Sequence, residues 1–363
     1  FQPKLEEMAG RTTRIQRYRR TIAHGIEFVL DCFLDTTASC GFIRLPPADA
    51  QVVKIIVKGG YRLTSISSGG WLLEPHSRHL SAYWIPQPPC LRQIDSNGHI
   101  LSQEEAEIIG IQITDAMSSV EIRIPSSYFM DIVIWHIPPK EYNFLTELTT
   151  QNVIETQTYF IYASHTSYRR VSDIYLHLIH GSVYGNNFSW PRYWKICDEL
   201  DAYALYLIVS ALEHTTGKQL YSLIKWQIVF STLARQADDG GWNHGEWTDS
   251  MESHHRLHCG GIHLLLHVLE EEYDEVIRTA LDKAVAYLLN CVDHTRFGMW
   301  FLHDSLEKSV EKIQQSPFPR IYSHALGKSH SNMLVLNTHI DALIALKRYQ
   351  IITGDKRFSD LID

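Results

Sequence analysis

Hydrophobic and polar positions along the chain follow two different periods. From about Gly25 to Pro138, short runs rich in β-branched and aromatic residues recur, as in Val52-Val-Lys-Ile-Ile-Val57 and Val120-Glu-Ile-Arg-Ile124. Turn clusters separate them: Lys58-Gly-Gly60, Ser67-Ser-Gly-Gly70 and Asp95-Ser-Asn-Gly98. A period of two places Ile122 and Ile124 on one face and Glu121 and Arg123 on the other, as in a strand with one buried face. The pattern predicts a two-layer antiparallel β-sandwich over residues 25–140, preceded by a basic segment, 1–24, that carries the run Arg11 to Arg20. Pro138-Pro139 marks its end, because the residue before a proline resists helix and paired prolines break either regular structure.

After about Asn143 the period becomes helical and an internal repeat emerges. Asp201-Ala-Tyr-Ala-Leu, a Thr216-Gly-Lys turn and Leu220-Tyr-Ser-Leu-Ile are echoed by Asp341-Ala-Leu-Ile-Ala-Leu, Thr353-Gly-Asp and Phe358-Ser-Asp-Leu-Ile. A looser copy runs from Gly261 through the polar turn Glu270 to Asp274 and on to Leu289. In each copy the first helix is apolar nearly all round. The second is amphipathic, with Val276, Ile277, Ala280, Leu281, Ala284, Val285 and Leu288 on one stripe of the looser copy. Helical hairpins with a buried inner and a wetted outer member pack side by side, so residues 141–363 are expected to form an α/α toroid. The fold class expected is therefore α+β and multidomain. Fewer hairpins fit here than a closed ring needs, so an incomplete ring, or a piece of a longer polypeptide, is expected.

Loop lengths orient that ring. Inner-to-outer turns are short, whereas the segments leading into inner helices, roughly 180–199, 236–257 and 291–337, are long. All three must emerge on one rim, and loops of that length in a compact domain usually carry function.

Composition narrows the function classes. Of 363 residues 45 % are apolar and 20 % charged, which excludes disorder. A net charge of −8 gives no pull toward nucleic-acid phosphates. The longest apolar run, Tyr203 to Leu212, is half a bilayer span, so no membrane span is expected, and Phe1-Gln-Pro-Lys does not open like a signal peptide. Cys32, Cys40, Cys90, Cys197, Cys259 and Cys291 lie far apart and read as reduced thiols, which leans toward the cytoplasm. Oligomeric state is left open.

The 20 histidines are the compositional oddity, with 15 of them from His165 onward and six between His244 and His267. His254 and His258 are four apart and would share a helix face. With neither HExxH nor CxxC present, no cofactor is expected; a metal held by His254 and His258 is the alternative. General-base or hydrogen-bonding roles at the rim suit His254, His255 and His258, while His263 and His267 read as deeper, satisfied groups. The loop Gln236 to Asp249 supplies Asp238, Asp239, Glu246 and Asp249, from which a general acid and base could be drawn. In the plainer reading its glycines make a turn and Trp242 plugs the ring. Trp190, Trp242, His244, Trp300 and Asn337 suit the stacking faces and hydroxyls of sugars, and Arg192, Arg256 and Lys328 suit a carboxylate.

Asp239-Gly-Gly-Trp242 ahead of an inner helix resembles a loop that recurs in α/α-toroid enzymes acting on carbohydrates. The spacing from Gln236 to Trp242 also resembles the QW repeat of terpene cyclases, but the acidic cluster those enzymes place on an apolar helix is missing. The segment Leu326 to Asp355, with an Asn opening an inner helix and a Thr353-Gly-Asp355 turn, resembles the C-terminal domain of the D-glucuronyl C5-epimerase family. The resemblance covers residues 195–363, and the domain order matches as well. It implies a polysaccharide or oligosaccharide substrate containing a uronate, whose C5 proton is abstracted. His254, His258, His330 or Tyr193 is then the base, and the outcome is epimerisation or elimination. The alternatives are a glycoside hydrolase pairing Asp239 or Glu246 with Asp304, and a noncatalytic glycan-binding module.

Overall fold

The structure, a computed structural model, describes residues 8–65, 70–86, 88–94, 100–149, 179, 182–184, 194–196, 199–243, 252–314 and 332–359. They divide into two compact units. The first holds the N-terminal strands, a short helix and residues 208–231, and the second holds residues 199–207 and everything described from 232 onward.

The first unit is antiparallel throughout. Its strands are β1 (Met8–Arg11), β2 (Ile15–Ile22), β3 (Ile26–Phe33), β4 (Ser39–Leu45), β5 (Gln51–Lys58), β6 (Tyr61–Ser65), β7 (Trp71–Pro75), β8 (Ala82–Ile85), β9 (Cys90–Ile94), β10 (Ile100–Glu105), β11 (Ile108–Ile113), β12 (Met117–Ile124) and β13 (Phe129–Ile137). Ten form a sheet along the path β1-β2-β3-β4-β13-β8-β7-β6, with β9 pairing β13 and β10, and a smaller sheet runs β11-β12-β5. Side chains from both sheets share one core: Val57, Val120 and Ile122 from the small sheet meet Trp71, Leu73, Ile85 and Ile132 from the large one. Strand β12 alternates as read from the sequence, with Ile122 and Ile124 buried and Arg123 exposed. Strand β13 is paired on both edges and apolar along most of its length. An N-terminal antiparallel β region followed by helices is thus what the chain builds.

The sheet starts earlier than Gly25. The basic run lies in β1 and β2, and Arg17 points inward at a position where alternation calls for an apolar residue. It faces Asp31 across the ladder and binds it through two contacts, Nε to Oδ1 at 2.6 Å and Nη2 to Oδ2 at 2.8 Å. Gln227 Nε2 donates to the same carboxylate at 2.9 Å, and the Arg17 guanidinium lies 4.9 Å from the Phe230 ring centroid. These contacts explain why residues 208–231 group with the strands rather than with the later helices. Among the described residues Cys32, Cys40, Cys90, Cys259 and Cys291 form no disulfide, and no helix is long and apolar enough to cross a membrane.

After α1 (Asn143–Thr149), the helices are α2 (Glu199–Thr216), α3 (Gln219–Arg235), α4 (His255–Glu271), α5 (Glu275–Leu289) and α6 (Leu336–Thr353). In the second unit α4 is central and almost wholly buried. The start of α2 runs parallel to it. Leu200 lies against Gly260, Tyr203 against His263 with ring centroids 5.9 Å apart, and Tyr206 against His267 at 5.5 Å. Helix α6 is parallel on the other flank: His263 meets Asp341 at 3.4 Å, and Arg348 meets Glu270 at 3.3 Å. Gly260 permits the close approach of α2 and α4, since a Cβ there would sit 2.5 Å from Leu200 Cα. Helix α5 packs antiparallel on α4, burying Ile277, Ala280, Leu281, Ala284, Val285 and Leu288; Val276 of the expected stripe is exposed.

The turn between α4 and α5 is closed by Asp274, whose carboxylate accepts from the amides of Val276 at 2.8 Å and Ile277 at 3.1 Å. Removing this cap in Asp274→Ala is expected to cost the second unit about 1 kcal/mol in urea denaturation. Both Thr-Gly turns of the sequence repeat end their helices alike, with Gly217 and Gly354 at φ of 65° and 72°.

Candidate functional site

The parallel order of α4 and α6 puts their N-terminal ends on the same side, and the described parts of two long loops arrive there. The first loop is bolted down by its own motif. Gln236 Nε2 donates to Ala280 O at 2.9 Å and to Gly240 O at 3.0 Å, and Asp239 Oδ1 accepts from the Gly241 amide at 3.0 Å. Trp242 is buried, donates its indole N–H to Thr232 O at 2.9 Å and packs on His258 with centroids 5.0 Å apart. This is the plainer reading of Asp-Gly-Gly-Trp: a turn and a plug. Trp242 offers no face for a substrate, while the Asp239 carboxylate stays at the surface.

The second loop carries the hairpin β14 (Val292–Thr295) and β15 (Gly298–Phe301) and then a short 3-10 turn, Ser305–Lys308. It is stitched to the start of α4. Asp304 bridges His254 in an isolated antiparallel pair, the Ser305 amide donates to Ser253 O at 2.9 Å, and the His255 amide donates to His303 O at 2.8 Å. Asp304 itself is buried, and its Oδ1 caps the turn through the Leu306 amide at 2.7 Å. Buried Glu307 binds the His303 amide at 2.7 Å and the Met333 amide at 2.9 Å, so it holds two loop segments together.

Four histidines gather at this end, and their surroundings give them different parts. His255 is fully buried; its Nδ1 lies 2.8 Å from Leu302 O, and burial above all holds its pKa near 3. It is therefore neutral at any ordinary pH. His258 sits one turn below the rim, enclosed between Trp242 and Tyr287, with Nε2 donating to Ala284 O at 2.9 Å. The sequence reading put His258 on the rim as a base. The structure places it inside the core, because helix position 258 points at α5 and at the buried Trp242 rather than at solvent. Tyr287 beside it is no phenolate, since burial raises its pKa well above the ordinary value.

His254 and His303 are the pair at the rim, edge to face with centroids 4.2 Å apart. His303 is only partly enclosed. Its Nδ1 lies 2.8 Å from Thr338 Oγ1 in the first turn of α6. Burial, then the charge of exposed Arg256, lowers the His303 pKa to about 4. Beside them Trp300 stacks on His339 at 4.1 Å with planes 6° apart, and Asn337 is exposed in the first turn of α6. Further down the helices, His263 is bound by Arg348 and Asp341, the satisfied role expected of it.

The expected site residues thus separate. Arg256 acts on His303, which meets His254, while Trp300 stacks on His339 and Asn337 lies in the first turn of α6; Asp239 lies in the loop turn; Trp242 and His258 belong to the packing beneath. Tyr193, Trp190, Arg192, His244, Glu246, Lys328 and His330 lie outside the described residues. Among the described residues no three His, Cys, Asp or Glu side chains converge as ligands for a cation. His303 lies in the third long loop, among residues the sequence suits to sugar contacts, and its signal for a further role is the hydroxyl of Leu336-Asn-Thr338-His at the opening of the next inner helix.

No family model matches the chain, and no curated protein does. Among solved structures, a human-microbiome protein assigned as a kojibiose phosphorylase aligns with 95 % of this chain at 9 % identity and a TM-score of 0.19. This chain spans 42 % of that protein's length. A likeness that slight carries no argument.

Proposed function

We propose that the chain is a carbohydrate-active enzyme whose parallel helices α2, α4 and α6 are inner members of an α/α toroid, with its site on the rim at the N-terminal ends of α4 and α6. The observation that carries the reading is the cation Arg256 near the partly exposed imidazole of His303, which meets buried His254 edge to face, and an aromatic platform, Trp300, stacked on His339 of α6. A pyranose stacks its C–H face on such a platform while amides such as Asn337 take its hydroxyls. Arg256 adds a preference for a sugar carboxylate. The reaction we infer is abstraction of the C5 proton of a uronate, leading to epimerisation or elimination. That proton becomes acidic when the carboxylate charge is neutralised and the enolate stabilised, a task for a guanidinium and for helix N-termini.

Of the sequence candidates outside the described residues, Tyr193 and His330 are proposed for the proton on the opposite sugar face. Trp190, Arg192, His244 and Lys328 are proposed for further sugar contacts. The hydrolytic alternative is disfavoured by Asp304, whose carboxylate is spent as a cap. Its proposed partners were Asp239 and Glu246.

A direct test compares binding of a uronate polysaccharide with the same polymer after its carboxyls are reduced to alcohols, by calorimetry. The acidic polymer is expected to bind at least about tenfold more tightly, and Arg256→Gln to remove that difference, the size of one charge-assisted contact. Equal binding of the two polymers by the unaltered protein would contradict the proposal.

A further inference from the structure

Resting on the reading of the rim as a uronate site, we propose that His303 is its proton-abstracting base, oriented by Thr338 and matched to a carboxylate-bearing sugar by Arg256. Neither the resemblance nor the spacing of residues singled out His303 for this role. The geometry does, in three steps.

The backbone of His303 is fixed from both sides, its amide by buried Glu307 and its carbonyl by the His255 amide. Its ring is fixed by Thr338, which is fully buried and sits in the first turn of α6. Thr338 Oγ1 lies 2.8 Å from His303 Nδ1 and 3.5 Å from Asn337 Oδ1, so it can accept from Nδ1–H while its own proton goes to the amide oxygen. In the proposed tautomer Nδ1 carries the proton and Nε2 the bare lone pair. A base held in one tautomer by a third group, with its acceptor nitrogen presented to a site, is the arrangement proton abstraction requires.

His255 and His258 differ at this point, since each is enclosed in the core. The charged and titratable groups facing His303 are Arg256 and His254 at the start of α4, and the turn carboxylates Asp304 and Glu307, both engaged by backbone amides. With the site empty, Arg256 opposes protonation of His303. A uronate carboxylate paired with Arg256 cancels that charge, so the base strengthens when the right substrate arrives and not when a neutral sugar does. In the step itself the C5–H bond breaks, its electron pair passes into the C6 carboxylate as an enolate, and the proton goes to Nε2 to give an imidazolium. A proton delivered to C5 from the opposite face completes an epimerisation. Alternatively the pair forms C4=C5 as the C4–O bond breaks and the departing oxygen takes a proton.

The experiment uses the unaltered chain and three variants, His303→Gln, Thr338→Val and Thr338→Ser, each checked for folding by thermal melting. Deuterium uptake at C5 from heavy water is followed on uronate oligosaccharides, and the tautomer of His303 is read by nitrogen-15 NMR with and without them. We expect the Nδ1–H tautomer, exchange reduced at least about 100-fold in His303→Gln, and a partial loss in Thr338→Val with a mixed tautomer, restored in Thr338→Ser. The His303 midpoint should rise on adding the uronate and not on adding the carboxyl-reduced sugar. An active unaltered chain with an indifferent His303→Gln variant, or an Nε2–H tautomer, overturns the assignment of the base alone. Absence of exchange by the unaltered chain on every uronate overturns the uronate reading together with it.

Discussion

Lowering the pH from 6.5 to 5 is expected to destabilise the second unit steeply. His255 and His303 have folded-state pKa values near 3 and 4 against 6.5 when unfolded, because burial disfavours their charged forms. Below pH 6.5 the unfolded chain takes up protons that the folded chain refuses. Stability is therefore full above 6.5, and is lost as pH falls until the folded values are reached. Each such group contributes a slope of about 1.4 kcal/mol per pH unit, somewhat less for partly open His303. Over this window ordinary carboxylates have hardly begun to titrate, so the loss belongs mainly to histidines. Urea denaturation followed by tryptophan fluorescence at pH 7, 6 and 5 would show it, and His255→Asn should flatten the curve while lowering its plateau. A stability unchanged between pH 7 and 5 would mean that the His254–His258 turn opens to water.

The second large effect lies in the other unit. Arg17→Leu is expected to cost about 3–5 kcal/mol, because among the described residues it leaves the wholly buried Asp31 carboxylate with Gln227 alone as a side-chain donor. Removing the acid as well, in Arg17→Leu/Asp31→Leu, should restore most of that loss, since a buried ion pair and a well-packed apolar pair are often close in free energy. Circular dichroism of the β signal under urea gives both numbers. A single variant within about 1 kcal/mol of the unaltered protein would show that Asp31 finds other partners or water.

The same buried pair explains what could not be read in the sequence. Strand β12 was legible because apolar and charged positions alternate cleanly, and the helical repeat was legible because its Thr-Gly turns and all-apolar helices recur. Strand β2 was not, because an arginine occupies an inward position and its compensation, Asp31, lies on another strand. The assignment of residues 208–231 to the first unit was hidden for the same reason: Gln227 and Ser231 read as polar positions of a helix until Asp31 and Arg17 are seen beside them.

In the candidate site the residue types were legible and their depths were not. A spacing of four puts His254 and His258 on one helix face, but cannot say that the face turns from the rim into α5 within that one turn. Trp242 suits sugar stacking and core packing equally by composition, and only its indole bond to Thr232 O decides. His303 acquires a role through a threonine thirty-five positions later in the chain, a separation at which periodicity carries no information.

The central claim, that this rim abstracts the C5 proton of a uronate, is tested most directly by proton NMR of the unaltered chain in heavy water with uronate-containing polysaccharides. Absorbance of unsaturated uronate would be followed in the same samples. The account predicts loss of the C5 proton signal, with the polymer intact for an epimerase or with growing absorbance for a lyase. Chain cleavage with C5 fully protonated and no absorbance would contradict it and point to hydrolysis, and an unchanged spectrum on every polymer would contradict it in favour of a module that only binds glycans.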